Sequence, residues 1–326
     1  MHTADALLLH LTAFQPTRPT ASPDDWLALA ELAPVHGVAP LIAYNVEYRL
    51  AGAGAPQVVR DLLLGHYQGA LADNVFKLVN LKKVLAECPD LPVLILDAAA
   101  FADSLYPHIA FRPMSELRVL VRPGDLQAVQ RGFAEAGYPP VDDADPLGAQ
   151  AISTDGRTRI AIHTQLLTQL VGDARAAETQ GVWDRALPSK AFGPRALRPS
   201  LEDALLCAVL LQARQGFDTP LVEAIDLREA ARGAPELGGP YSRPPDPAAL
   251  LSRARAFKLE RGLWAAMARG AALFPGEAEA ARALQPALRG SSQALLQKLV
   301  VDPSRDLRRT HAARGLPRLR RLLSGG

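Results

Sequence analysis

Cysteine is scarce: Cys88 and Cys207 are the only two in 326 residues. They lie far apart, each inside an apolar helical pattern. A disulfide framework is therefore excluded, and both are expected as buried free thiols in a reducing compartment. No apolar run reaches the ~18–20 residues a membrane span needs. The apolar start, Met1 to Leu11, has neither a basic leader nor a small-residue cleavage site. A strong net charge is also missing, since 36 Lys and Arg against 34 Asp and Glu leave +2. Nothing global asks for nucleic acid or a membrane. There is no repeat, no low-complexity tract, no Walker A pattern, no GxGxxG, no HExxH and no Cys/His set with zinc spacing. With 48% hydrophobic and 21% charged residues, what remains is a globular chain, expected in the cytoplasm and long enough for two domains or one large one. Its abundance of Arg over Lys, with much Ala, Leu and Pro, reads as the codon bias of a GC-rich genome.

Three stretches follow one another. Residues 1–88 read as a helical region. Ser22 can cap a helix whose first turn holds Pro23, Asp24 and Asp25, which suit the positive helix end. Trp26, Leu29, Ala30 and Leu32 continue with helical spacing until a break at Pro34 to Gly37. Gly52 to Pro56 marks a turn, and a long helix is expected from about Gln57 to Ala86. Residues 89–194 change pattern. LPVLILD (91–97) reads as a buried strand, AAAFADSLYP as a helix or helical turn, and LRVLV (117–121) as a second strand. GDLQAVQRGFAEAGY sets Leu126, Val129 and Phe133 on one helical face and stops at Gly137. AQAISTDGRTRIAIHTQL reads as a hairpin with Asp155-Gly156 as its two-residue turn. Residues 195–326 are expected to be helical again. Ser200 caps a helix closing near Gly216, 233–247 is expected as a surface loop, and helices at about 247–271 and 277–288 lead to an arginine-rich tail. The fold class is α/β (α+β): a small mixed sheet with helical regions on both sides in sequence.

Chemistry is suggested at FRPMSELRVLVRP (111–123). The turn Arg112, Pro113, Met114 and Ser115 runs into a strand on which Glu116 and Arg118, two apart, share a face. Two carboxylates at that spacing would clamp a divalent cation. A carboxylate and an arginine do not.

With LDAAAF (96–101), RPMSELRVLVRPGDL (112–126) and IAIHTQL (160–166), the middle segment resembles a bacterial, mostly uncharacterised nucleotidyltransferase family of the DNA polymerase β-like superfamily. Members of that family carry Leu-Lys-Gly-Ala-Ala after an apolar strand. Arg-Pro-Met-Ser-Asp-x-Asp follows, and later a strand with an acid two positions before a His. The flanks WLALAELAPVHGVAPLIAYNV, VWDRAL, LRPSLEDALLCAVLLQ and AIDLREAA are similar too, so the resemblance covers most of residues 24–232. It implies transfer of a nucleotidyl group with two Mg²⁺ ions held by three carboxylates. Carried over residue by residue, the first carboxylate position falls on Glu116, the second on Arg118 and the third on Ala161, two before His163. The family's Lys-Gly pair falls on Asp97 and Ala98. One ligand is thus altered and two are lost. The resemblance implies a kept fold and a dismantled catalytic centre, with Mg²⁺ needed only if activity remains and no other cofactor expected.

Each of these residues has a plainer reading. Glu116 is either a surviving metal ligand or the partner of Arg118, and Arg118 either grips a phosphate or belongs to an internal ion pair. The charges at 97 and 118 look exchanged relative to the family, so a swapped pair would plug the old site. His163 fits an ordinary strand histidine and His36 a helix-turn residue. Asp142, Asp143 and Asp145 fit a solvated loop. The tail RDLRRTHAARGLPRLRRLL (305–323), with Arg308, Arg309, Arg320 and Arg321, can bind phosphate backbones or form the solvated face of a helix docked through Leu307, Leu319, Leu322 and Leu323. Three functions are open: a degenerate member that binds a nucleotide, nucleic acid or protein partner; an active enzyme using Glu116 with further carboxylates; and a structural interaction module.

Overall fold

The structure, a computed structural model, describes residues 3–88, 90–141, 148–166, 176–302 and 307. Four helices come first: α1 (Thr3–Leu11), α2 (Pro23–Val35), α3 (Ala39–Tyr44) and α4 (Gln57–Ala86). Ser22 caps α2 reciprocally. Its hydroxyl accepts from the Asp25 amide, and the Asp25 carboxylate accepts from the Ser22 amide, which satisfies two donors the helix start leaves open. At the other end Gly37 takes φ +67°. Its amide donates to Pro34 O and the Val38 amide to Ala33 O, a Schellman closure that a Cβ would strain.

Among the described residues, seven strands form one mixed sheet: β1 (Val93–Leu96), β2 (Leu117–Leu120), β3 (Pro140–Val141), β4 (Gly148–Ile152), β5 (Arg159–His163), β6 (Leu187–Pro188) and β7 (Ala196–Arg198). Their order is β3-β4-β5-β2-β1-β7-β6. β2 runs antiparallel to β1 and parallel to β5, and β1 runs parallel to β7. The remaining helices are α5 (Asp97–Ala102), α6 (Leu126–Glu135), α7 (Ala176–Asp184), α8 (Leu201–Arg214), α9 (Leu221–Arg232), α10 (Pro247–Ala256), α11 (Glu260–Leu273), α12 (Ala278–Ala283) and α13 (Gly290–Leu296).

The central strands are apolar throughout because both faces are covered. Val93, Ile95, Leu117, Val119, Ile160 and Ile162 pack on one face with the end of α4 and with α6. Leu94, Leu96 and Leu120 face the other way, into a core shared by α1–α3 and by α8, α9 and α11. N- and C-terminal helices thus bury one common interior. Alternation along β2 and β5 puts Arg118, Ala161 and His163 on that second face as well. Cys88 and Cys207 are free and buried.

Three expectations need correction. The hairpin turn is longer than two residues: Ile152 pairs with Arg159, and the Ser153 amide reaches Thr158 O. Asp155 Oδ1 accepts from Ser153 Oγ and the Arg157 amide inside that loop. The helix expected over 247–271 is two, α10 and α11, because Lys258 adopts φ +50° between them. The 233–247 segment lies at the surface as expected, with Pro235, Glu236, Arg243 and Pro244 exposed, and Tyr241 anchors it, fully buried with its hydroxyl donating to Pro199 O at 2.8 Å. The strands also continue past residue 194, because β7 completes the β1 edge. Asp142, Asp143, Asp145, Arg308, Arg309, Leu319, Arg320, Arg321, Leu322 and Leu323 lie outside the described residues. Leu307 is described and buried, and its carbonyl accepts from His36 Nε2 at 2.7 Å. No helix among the described residues is long and apolar enough to cross a membrane.

Candidate functional site

The RPMS turn is pinned from two sides. From α4, Asn74 Nδ2 donates to Ile109 O at 2.7 Å and to Arg112 O at 2.9 Å. One turn on, Lys77 Nζ donates to Met114 O and pairs with Asp73 at 2.6 Å. From α9, Asp226 receives Arg112 Nε on both oxygens, at 2.9 and 2.8 Å, and the Tyr106 hydroxyl at 2.6 Å. Burial alone would pull the Arg112 pKa down, but the adjacent Asp226 carboxylate holds it above its ordinary value. A further bond from Arg112 to Pro113 O, at 2.7 Å, fixes the entry into β2. The conspicuous arginine of the motif is therefore a structural anchor.

Beyond that anchor stands Arg118. Leu96 lies opposite Arg118 on β1, and Ala161 lies opposite it on β5, so the carried-over positions do meet on three adjacent strands. Arg118 Nη2 is 2.5 Å from Glu116 Oε1, and Nε donates to the same oxygen at 2.6 Å. Arg118 Nη1 is 3.4 Å from Asp97 Oδ2. Side-chain exposures of 20% for Arg118, 15% for Asp97 and 24% for Glu116 mean that water screens this triad only partly. Burial opposes the guanidinium charge, yet Asp97 and Glu116 together raise the Arg118 pKa above its ordinary value. Asp97 itself sits at φ +50°, a left-handed geometry that Asp tolerates better than most residues.

The triad lines a cavity of about 370 Å³ with Ser115, Arg112 and Glu223, beside the α2 turn at Gly37. Glu223 was not singled out in the sequence. It opens onto the cavity from the first turn of α9, with one carboxylate oxygen buried and unpartnered. Desolvation raises its pKa from 4.5 to about 7, against the pull of Arg112 and Arg269 and with the help of Asp226 and Asp97. Because the folded protein keeps a proton that the unfolded chain releases, Glu223 costs stability as pH rises from about 4.5 through about 7. Glu223→Gln is expected to remove that slope. The variant should match the parent near pH 4 and exceed it at pH 8 by about 3 kcal/mol, as read from denaturant melts across pH. Identical slopes would exclude the assignment.

The cavity does not fit the metal pair that the resemblance implies. Glu116 Oε1 is occupied by two nitrogens of Arg118. A guanidinium holds the second ligand position, and Ala161, buried in β5, offers no donor atom. His163 is buried two residues further along β5 opposite Leu120, away from the cavity lining. Among the described residues, no three His, Cys, Asp or Glu side chains are grouped to hold a metal ion. Asn74, Lys77, Tyr106 and Asp226 position the site without having stood out in the sequence. The AIDLREAA segment that carries Asp226 gave the only hint.

The family model described as an uncharacterised nucleotidyltransferase matches residues 22–275. No curated protein matches the chain, and no solved structure does.

Proposed function

Because the chain belongs to the family of uncharacterised nucleotidyltransferases, we propose that it is a degenerate member, which has given up metal-dependent transfer and works by binding a protein partner. The observation that carries this reading is the Arg118 guanidinium seated between Glu116 and Asp97. A resident cation occupies the ground where the family's metal would stand. The cavity's charge supports a protein over a nucleotide or nucleic acid. Arg112 is committed to Asp226, which leaves the single cation Arg118 against two carboxylates, Asp97 and Glu116. A polyphosphate brought to that acidic surplus would meet like charge, which costs on the order of several kcal/mol.

A second reading, an active enzyme using Glu116 with other carboxylates, draws on Glu223 and Asp97 reaching the same cavity. Asp97 is already engaged by Arg118, and Glu223 holds its proton up to about pH 7, so neither supplies a ready ligand. Calorimetric titration with Mg²⁺ and Mn²⁺, each with and without ATP, separates the two. The degenerate reading expects no saturable heat in any of these titrations. Tight metal binding that disappears in Glu116→Ala would establish the active enzyme instead.

A further inference from the structure

A second cavity, of about 270 Å³, opens at the other end of β1 from Asp97. Its wall is formed by Leu85 from the last turns of α4, Leu91, Val93 at the start of β1, and Phe192. Leu85, Val93 and Phe192 are buried core side chains whose outer surfaces line the groove. Gly193, at φ +119°, then turns the chain back into β7. Among the described residues, the charged groups on this lining are Lys82 and Arg195. Both are exposed, and neither has an ion pair or side-chain hydrogen bond among the described residues.

An apolar trough bordered by two uncommitted cations, with no acid on its lining, is complementary to one kind of molecule. We propose that this groove binds a medium-chain monocarboxylate, its alkyl chain along Leu85, Leu91, Val93 and Phe192 and its head group at Lys82 and Arg195. Each side of the groove contributes a separate requirement. Every methylene removed from water favours binding by about fourfold when fully buried, and the guanidinium of Arg195 can take a carboxylate through two parallel N–H bonds. At about 30 Å³ for each water-sized group, the volume suits a chain of roughly nine carbons. The site is independent of the acidic cavity, where a carboxylate would be repelled, and stands or falls apart from the reading given for it.

The test is isothermal titration of the full chain with decanoate, octanoate, decanol and decylammonium at neutral pH. Decanoate is expected to bind one to one. Octanoate should bind up to about sixteenfold more weakly, decanol weakly, and decylammonium without saturation. Lys82→Ala and Arg195→Ala should each weaken decanoate by about fivefold, and the double variant should weaken it by about 25-fold while its thermal melt stays unchanged. Ala86→Phe, an exposed helix position on the groove wall, should block decanoate without touching either cation. Decanoate that fails to saturate, decylammonium that binds equally, or a double variant that binds like the parent would each overturn the assignment.

Discussion

Replacing Arg118 with Asp and Ala161 with Asp together is expected to create a divalent-metal site where the parent has none. Positions 118 and 161 face each other in register across β2 and β5, and Glu116 stands beside them. The double change therefore supplies the three-carboxylate set that hard cations require. Without metal the variant should be severely weakened. Arg118→Asp removes the one cation between Asp97 and Glu116 and adds like charge, a loss of about 3–5 kcal/mol by analogy with other broken buried pairs. With Mn²⁺ at a hundredfold excess over its dissociation constant, about 2.7 kcal/mol should return. Thermal melts with and without Mn²⁺ read both effects. A double variant whose melting point ignores Mn²⁺ would mean that the strands do not present these positions to one cation, and the plugged-site reading would lose its geometric basis.

The second large effect is expected at the anchor. Asp226→Ala leaves Arg112 charged, 11% exposed and without its carboxylate, and takes the acceptor from the Tyr106 hydroxyl. A loss of about 3–5 kcal/mol is expected. Arg112→Met combined with Asp226→Leu should recover most of that loss, because an apolar pair of similar size carries no buried charge. The contrast separates the penalty of an orphaned charge from the worth of the pair. Urea melts of the single and double variants measure it. If Asp226→Ala costs under about 1 kcal/mol, within the range of an ordinary exposed pair, the RPMS turn is held by α4 alone.

Much of this architecture could be read from local signals. α4 begins after Pro56 and ends at Ala86 as its turn residues indicate. Ser22 and Ser200 cap α2 and α8 because a short hydroxyl can satisfy a free helix amide. The apolar run Val93–Leu96 is legible as a strand because both of its faces are buried. Other elements carry no such signal. β6 and β7 are too short to show a period: β7 exists because β1 offers it an edge, and β6 pairs in turn on β7. The break between α10 and α11 falls on Lys258, neither Gly nor Pro, so nothing in the residue type announces it. The site divides the same way. The meeting of Asp97, Glu116, Arg118 and Ala161 followed from alternation and the resemblance. Glu223 did not, because in sequence it is one acid in the first turn of an ordinary helix, and only its depth in the fold changes its chemistry.

The contacts that shape the acidic cavity join distant parts of the chain. Arg112 meets Asp226 across 114 positions. The Leu221 amide meets His36 across 185, and Leu307 meets the same imidazole across 271. Each closes a loop whose entropic cost is recovered only once the intervening chain has collapsed. During synthesis, when a chain emerges amino end first, α4 and strands β1–β5 are complete well before α9 exists. Until then Arg112 has no carboxylate to receive it, and one wall of the cavity is missing. A nascent chain arrested before α9 would hold the motif residues in order along its sequence and still have no cavity between them.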